Sequence, residues 1–176
     1  MNVKMISTSP QQTKITGSMF AMLLDPGDVI FLLGELGGGK TTFMSGVAEG
    51  LKARGNVSSP SFTLINIYDY KKDNNRLNLI HCDLYRVSGF EDLPDIGIEE
   101  YIYDGKSIVF VEWGNFLREK VTKDYLTINF EYIFNETGKD DTGEKLEQKR
   151  QLTFSAENTH WRNKLRSFKD IKFFLK

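Results

Sequence analysis

The sequence predicts an α/β fold in three layers, with a mixed, mostly parallel central sheet. Two short runs, Val29–Leu33 and Ile108–Val111, are apolar throughout, which is typical of strands that are covered on both faces. The first run leads into a glycine-rich segment and then into a predicted helix from Lys40 to about Ala53, in which apolar residues recur at every fourth position. A strand, a glycine loop and a helix in this order open many α/β nucleotide-binding folds.

Composition indicates an ordinary globular protein, and we predict a single domain over residues 1–176. The chain is 40% hydrophobic and 27% charged, and its formal net charge of −1 gives no overall basic field of the kind that attracts nucleic acid. The single cysteine, Cys82, excludes an internal disulfide, and no Cys or His cluster has zinc-ligand spacing. We find neither a signal-like segment nor a long apolar run, so we expect a cytoplasmic protein without membrane contact.

Val3–Ile6 is predicted to be a short strand, and a helix is predicted to start just after it. Ser9 can cap that helix, Pro10 suits its first position, and Gln12 completes a capping box. We expect the helix to run to about Leu24, because proline, glycine and aspartate follow and form a turn.

Alternation, apolar spacing and glycine positions predict the rest of the chain. We expect strands at Phe62–Tyr70 and Leu77–Cys82, helices at Phe90–Tyr103 (broken near Gly97), Asn115–Val121 and His160–Phe168, and a hairpin of Tyr125–Phe134 with Lys149–Ser155. Residues 135–148 are polar, charged and glycine-containing, so a mobile loop is expected there.

The segment Gly34–Thr41 fits the pattern G-x-x-x-x-G-K-[ST] at every fixed position. Such a loop curls so that its N–H groups surround a phosphate, while the helix behind it presents its positive end to the same group. Lys40 is expected to reach the β- and γ-phosphates, Thr41 to bind Mg²⁺ and Thr42 to contact the α-phosphate. The other loop residues expected to bind the nucleotide are Glu35, Leu36, Gly37, Gly38 and Gly39. Together with the strand and helix pattern, this loop predicts a P-loop NTPase-like fold.

Two carboxylates, Asp83 and Glu112, stand where predicted strands end. A phosphate loop needs an acidic partner at such a position, beside Mg²⁺. One of the two is expected to hold the metal, directly or through a water, and the other to polarise the attacking water; the sequence does not say which. Each is alternatively a carboxylate that caps a loop. Arg86 is either a structural partner of Asp83 or a catalytic cation.

The segment Ser59–Thr63 follows the first nucleotide-binding helix, where P-loop proteins carry their switches. A hydroxyl here, including that of Thr63, is expected to meet the γ-phosphate and Mg²⁺; the alternative is a plain serine–proline turn before a strand. The nearest match to a guanine-reading loop, 138–141, begins with glycine and lies in a charged segment. We therefore favour adenine, and expect ATP and Mg²⁺ as the ligands.

Four motifs together resemble those of the TsaE (YjeE) family. They occur in the order of that family, and they are Gly34–Thr42, Ser59–Leu64, His81–Arg86 and Glu112–Gly114. The resemblance implies a small P-loop ATPase with a mixed sheet. It also implies that the protein works with TsaD and TsaB in making threonylcarbamoyladenosine on tRNA, and that it meets tRNA only through that complex.

The resemblance also implies roles for single residues. Asp83 and Glu112 would be the acidic pair, with Glu112 binding the metal or activating water, and Trp113 would be a functional aromatic near the nucleotide. Thr13 and the Trp161–Arg162 segment would contact adenine. Ser61, Gly38 and Gly114 depart from the usual residues without removing a required group. The region after Lys123 matches poorly.

Two other functions stay open at this point. One is a P-loop kinase that phosphorylates a small metabolite, although no segment resembles the arginine-rich lid of such enzymes. The other is a nucleotide-dependent binding module in which hydrolysis is incidental. A basic stretch from Arg162 to Lys176 is either a solvated helix face or a contact for tRNA or an acidic partner.

Overall fold

The computed structural model describes residues 1–87, 89–133 and 149–171, and the side chains up to Lys169. Its seven described strands form one sheet in the order β1-β7-β6-β2-β5-β4-β3. The strands are β1 Asn2–Ser7, β2 Val29–Gly34, β3 Ile65–Lys72, β4 Asn75–Asp83, β5 Ile108–Glu112, β6 Tyr125–Ile133 and β7 Lys149–Ser155. The strands β6, β2, β5 and β4 are parallel neighbours, and β3 and β7 run against them. The mixed, mostly parallel sheet predicted from the sequence is confirmed.

The helices cover both faces of this sheet. They are α1 Pro10–Phe20, α2 Lys40–Gly50, α3 Leu93–Ile96, α4 Ile98–Tyr103, α5 Asn115–Arg118 and α6 Thr159–Ile171. Alternate residues of β2 point into two separate cores. Ile30 and Leu32 join the core that also holds α1, α2 and α6 side chains, whereas Val29 and Phe31 join the core under α3, α4 and α5. The result is the predicted three-layer arrangement.

Several predicted boundaries move by a few residues. The first helix ends at Phe20 and continues as a 3-10 turn, Ala21–Leu23. Its capping differs from the expected box: Ser9 Oγ accepts from the Gln12 N–H at 3.2 Å, but the Gln12 side chain accepts from the Thr8 N–H at 2.8 Å instead of reaching Ser9.

Later boundaries move for local reasons too. The strand predicted from Phe62 begins at Ile65, because Leu64 takes a left-handed conformation with φ 63° and closes a turn onto the Pro60 carbonyl. The helix predicted over Phe90–Tyr103 is broken at Gly97, as expected, where φ is 70°. The loop predicted at 135–148 lies outside the described residues.

Close packing of α1 against α2 fixes the helix that follows the glycine loop. A Cβ on Gly46 would lie 1.9 Å from the Lys14 carbonyl oxygen, and a Cβ on Gly17 would lie 2.2 Å from that of Phe43. Only glycine fits at either position without moving a backbone. The start of α2 is therefore held against α1. None of the described helices has the length and apolar character needed to cross a membrane.

Candidate active site

The glycine loop joins the end of β2 to the start of α2. Gly34, Gly37 and Gly39 have φ of 119°, 78° and 102°, values that side chains disfavour strongly. Gly39 is also the N-cap of α2, so the loop ends on the positive end of a helix. This is the strand, loop and helix arrangement that the sequence motif requires.

Lys40 extends its ammonium group back over the loop. Its Nζ donates to the carbonyl oxygens of Gly34 and Glu35, each at 2.9 Å, and lies 3.8 Å from Glu112 Oε2. The side chain is only 4% exposed. Burial lowers the pKa of the Lys40 amine, and the negative charges of Glu112 and Asp83 oppose that shift. The two carboxylates therefore favour the charged amine that phosphate binding needs.

Asp83 and Glu112 meet because β4 and β5 are parallel neighbours. The two residues are direct partners in the register of the strands, so their side chains leave the same face of the sheet. Glu112 is also the register partner of Leu32 on β2, which belongs to the core on the α2 side. Both carboxylates are nearly buried. Parallel strands thus bring two residues that are 29 positions apart in sequence to the mouth of the glycine loop.

One cavity of about 360 Å³ contains most of the predicted site. It is lined by loop residues Leu36, Gly37, Gly39, Lys40, Thr41 and Thr42, and by Ser59, Ser61, Asp83, Tyr85, Arg86, Glu112 and Trp113. Glu35 and Gly38 lie within the loop but do not line this cavity. Arg86 makes no ion pair with Asp83; its guanidinium lies 4.5 Å above the ring of Phe62.

The switch segment is bonded to Asp83. The Ser61 hydroxyl donates to Asp83 Oδ2 at 2.6 Å, and the Ser59 hydroxyl donates to the same oxygen at 3.3 Å. Thr63 behaves differently, because its exposed hydroxyl donates to Asn66 Oδ1 at 2.9 Å instead of facing the cavity. The hydroxyls that the structure brings to the carboxylates are therefore those of the two serines.

Trp113 forms an aromatic wall beside the carboxylates. Its ring packs edge-to-face against Tyr85 with centroids 5.2 Å apart, and the Lys40 ammonium lies 4.8 Å from its centroid. Its backbone has φ 59°, a conformation that is uncommon and costly for a tryptophan. Such strain recurs at functional sites.

The structure separates the two residues expected to contact adenine. Thr13 is buried beside the glycine loop, since a Cβ on Gly39 would lie 3.5 Å from its methyl group, although its hydroxyl pairs with that of Ser7 at 2.7 Å. Arg162 is exposed on α6. Its neighbour Trp161 is fully buried in the core.

The position of α6 excludes Arg162 from the described cavity. His160, near the start of this helix, contacts Asp28 at 3.0 Å, and Asp28 precedes β2, at the end opposite the glycine loop. The predicted adenine contact by Arg162 conflicts with this placement. That contact was expected only from the family resemblance, because a tryptophan and an arginine near a helix start do not indicate which edge of the sheet the helix meets.

Two residues beside the glycine loop were not predicted from the sequence. A Cβ on Gly37 would lie 3.0 Å from the Tyr132 hydroxyl, and one on Gly39 would lie 3.5 Å from Arg150 Cδ. Tyr132 and Arg150 are register partners on β6 and β7, and the guanidinium lies 5.4 Å from the tyrosine ring centroid. The hairpin was predicted, but its pairing beside β2 has no local signal.

His81 also lies at the site, and no role was predicted for it from the sequence. It is fully buried, and its Nε2 lies 2.8 Å from Glu112 Oε1. A signal for it exists in the alternation of β4: Leu79, His81 and Asp83 share one face of the strand, so a polar residue two positions before the carboxylate must point toward the same side of the sheet.

The oxygen atoms at this site suit Mg²⁺. Thr41, Asp83 and Glu112 offer a hydroxyl and two carboxylates, and Mg²⁺ is usually held by one or two carboxylates together with phosphate and water oxygens. Within the described residues there is no group of three or more His, Cys, Asp or Glu side chains that could hold a metal by themselves. The donor set fits an ion that is bound together with a nucleotide.

Comparison with known proteins gives consistent matches. The model of the family described as "Threonylcarbamoyl adenosine biosynthesis protein TsaE" matches residues 7–140. The tRNA threonylcarbamoyladenosine biosynthesis protein TsaE of Bacillus subtilis (strain 168) is 34% identical over 154 residues, which is 88% of this chain and 85% of that protein. The protein of the same name from Treponema pallidum (strain Nichols) is 35% identical over 131 residues, 74% of this chain and 93% of that protein.

A solved structure agrees with these matches. The crystal structure of YdiB from Bacillus subtilis superposes with a TM-score of 0.73 at 28% identity, covering 98% of this chain and 97% of YdiB. The P-loop NTPase-like fold class predicted from the sequence is confirmed. The chain belongs to the TsaE family of tRNA threonylcarbamoyladenosine biosynthesis proteins.

Proposed function

We propose that this chain binds ATP with Mg²⁺ and hydrolyses it, in support of tRNA threonylcarbamoyladenosine modification carried out with the TsaD–TsaB pair. The observation that carries the proposal is the convergence of Lys40 and Glu112. The lysine of a phosphate loop lies 3.8 Å from a strand-end carboxylate, and Thr41 and Asp83 line the same cavity. A binding site for phosphate alone would not need two nearly buried carboxylates beside it, since they repel a bare anion.

Each group has a distinct task under this proposal. The loop N–H groups and Lys40 bind the phosphates, and the Thr41 hydroxyl and the Asp83 carboxylate would hold Mg²⁺. Bound Mg²⁺ would neutralise phosphate charge and so offset the repulsion from the carboxylates. Glu112 accepts the proton of the attacking water. The two serines that donate to Asp83 link the switch segment to a carboxylate that would hold Mg²⁺.

The rim of the cavity carries exposed apolar side chains, which favours a binding surface for another protein. Leu36, Phe62 and Tyr85 are 79%, 85% and 62% exposed; Leu36 and Tyr85 line the cavity and Phe62 belongs to the switch segment. Large apolar side chains grouped at a site mouth are typical of surfaces that another protein covers. This rim is where we propose that the TsaD–TsaB pair binds.

Two measurements test the proposal. Purified protein with Mg²⁺ and ATP should release free phosphate, and the TsaD–TsaB pair should change that rate. A reconstituted modification reaction should lose its product when this chain alone is left out. No response to the pair, with full modification in the absence of this chain, would refute the proposal. Transfer of phosphate to a metabolite acceptor would favour the kinase instead.

A second candidate is the nucleotide-dependent binding module. The bonds from Ser59 and Ser61 to Asp83 favour it, because they tie a surface segment to a carboxylate beside the nucleotide. A Glu112→Gln protein that restores tRNA modification without hydrolysing ATP would support the module. Loss of modification in that variant would support a requirement for hydrolysis.

A further inference from the structure

Among the residues that the structure describes, the His81 ring has one hydrogen-bond partner, the carboxylate of Glu112, which is at the centre of the proposed chemistry. The ring is completely buried on β4, and Nε2 lies 2.8 Å from Glu112 Oε1. The other carboxylate oxygen, Oε2, lies 3.8 Å from the Lys40 ammonium. Each oxygen of the Glu112 carboxylate therefore has its own neighbour: Oε1 contacts His81, and Oε2 faces Lys40.

The other ring nitrogen indicates which tautomer is present. Nδ1 of His81 is buried and has no hydrogen-bond partner among the residues that the structure describes. A proton on Nδ1 would bury an unsatisfied N–H, which costs about 1–3 kcal/mol. With the only proton on Nε2, the ring donates to the carboxylate and buries just an unpaired acceptor. Of the two tautomers, the one with its proton on Nε2 fits this surrounding best.

This contact sets the orientation of the Glu112 carboxylate. The Lys40 ammonium, at 3.8 Å, is beyond the distance of a direct hydrogen bond to Oε2. A glutamate without a second partner would rotate toward that cation and form a direct ion pair, because the attraction grows as the distance falls. The bond from His81 holds Oε1 in place and so keeps the carboxylate from closing onto Lys40.

We propose that His81 is a positioning residue: its Nε2–H holds Glu112 so that Oε2 stays available to the attacking water and not to Lys40. The inference rests on the proposed hydrolysis of ATP. His81 touches no substrate, so its effect falls on the rate of the chemical step and not on nucleotide binding, which depends on the loop and Lys40.

Three variants test this assignment. His81→Leu keeps a similar volume and removes the donor, whereas His81→Gln keeps an N–H donor; Cys82→Ala changes the neighbouring buried side chain, which lies on the other face of β4. We expect His81→Leu to lower kcat by about 10- to 100-fold, the usual effect of losing a group that orients a catalytic or metal ligand. KM for ATP should change by less than about threefold. His81→Gln should recover most of the rate, and Cys82→Ala should match the wild type.

Two results would overturn the proposal. One is a folded His81→Leu protein that hydrolyses ATP at the wild-type rate. The other is an equal loss in His81→Leu and His81→Gln, which would show that ring packing matters and the donor does not. If the wild type itself does not hydrolyse ATP, the proposed function fails, and the tautomer can still be measured.

A measurement on the wild-type protein needs no variant at His81. The chain has two histidines, so the ¹⁵N ring resonances are assigned by comparison with His160→Gln. We expect the pattern of a ring that carries a proton on Nε2. A ring protonated at Nδ1 alone cannot donate to Glu112 and would overturn the proposal even if every His81 variant failed to fold.

Discussion

Lys40 Nζ lies 3.8 Å from Glu112 Oε2, and the two side chains are only 4% and 5% exposed. A buried cation beside a buried carboxylate is favourable only when other groups satisfy each of them. Here Lys40 also donates to two loop carbonyls and Glu112 also contacts His81. These other partners keep the two charged groups apart: the ammonium stays bonded to the loop carbonyls, and the carboxylate stays in contact with His81 on the neighbouring strand.

Lys40→Ala is expected to weaken ATP binding by about 2 kcal/mol, roughly 30-fold in Kd, because a charge-assisted contact to the phosphates is lost. Isothermal titration calorimetry with ATP measures this directly. Lys14→Ala is the matched control, since Lys14 pairs with Glu49 away from the cavity. Equal ATP affinity in Lys40→Ala and wild type would show that the loop does not use this lysine.

Ser61→Ala is expected to loosen the switch segment. The variant loses the 2.6 Å bond to Asp83, and a bond of this kind contributes about 1 kcal/mol. Hydrogen exchange at the Leu64 amide, which donates to Pro60 at 2.7 Å, should then speed up by about fivefold. Ser58→Ala should leave it unchanged. Unaltered exchange in Ser61→Ala would mean that the serine bond does not hold the segment.

Asp25→Asn is expected to make the free energy of unfolding less dependent on pH in the acid range. The hydrogen bond from Lys72, with help from Lys164, lowers the pKa of Asp25 from its ordinary value of 3.8. A lowered folded pKa means that the contribution is present above the unfolded pKa and is lost as the pH falls through the folded one. The free energy of unfolding is measured by urea denaturation at pH 7 and again below about pH 4. Its decrease between the two pH values should be smaller in Asp25→Asn than in the wild type.

The control for that pH experiment is Asp73→Asn, at the exposed β3–β4 turn. It should keep the wild-type dependence on pH. If the free energy of unfolding decreases equally in Asp25→Asn and the wild type as the pH falls, the ion pairs assigned to Asp25 are contradicted.

Local patterns in the chain predict the central part of this site well. The glycine loop follows from the sequence motif, and Asp83 and Glu112 follow from the rule that parallel strands end at the same edge of a sheet. Each of these inferences needs only a strand, its end and the residue after it. The break at Gly97 is local in the same sense, since only glycine adopts its conformation easily.

Features that depend on strand order could not be predicted. Tyr132 and Arg150 reach the loop only because β6 lies beside β2 and β7 pairs with β6. Arg162 was predicted to contact adenine from the family resemblance, and nothing in its own segment reveals that α6 begins at the edge of the sheet opposite the glycine loop. Thr63 was predicted from its position in the switch segment, but its hydroxyl donates to Asn66, and the hydroxyls that face Asp83 are those of Ser59 and Ser61.

The central claim is that Glu112 performs the chemistry of a Mg²⁺-dependent ATPase, and one comparison tests it most directly. Steady-state phosphate release and ATP binding are measured in parallel for the wild type, Glu112→Gln and the exposed control Glu119→Gln. We expect Glu112→Gln to bind ATP within about threefold of the wild type while kcat falls by about 100-fold, and Glu119→Gln to match the wild type. A Glu112→Gln protein that hydrolyses ATP at the wild-type rate would contradict the account.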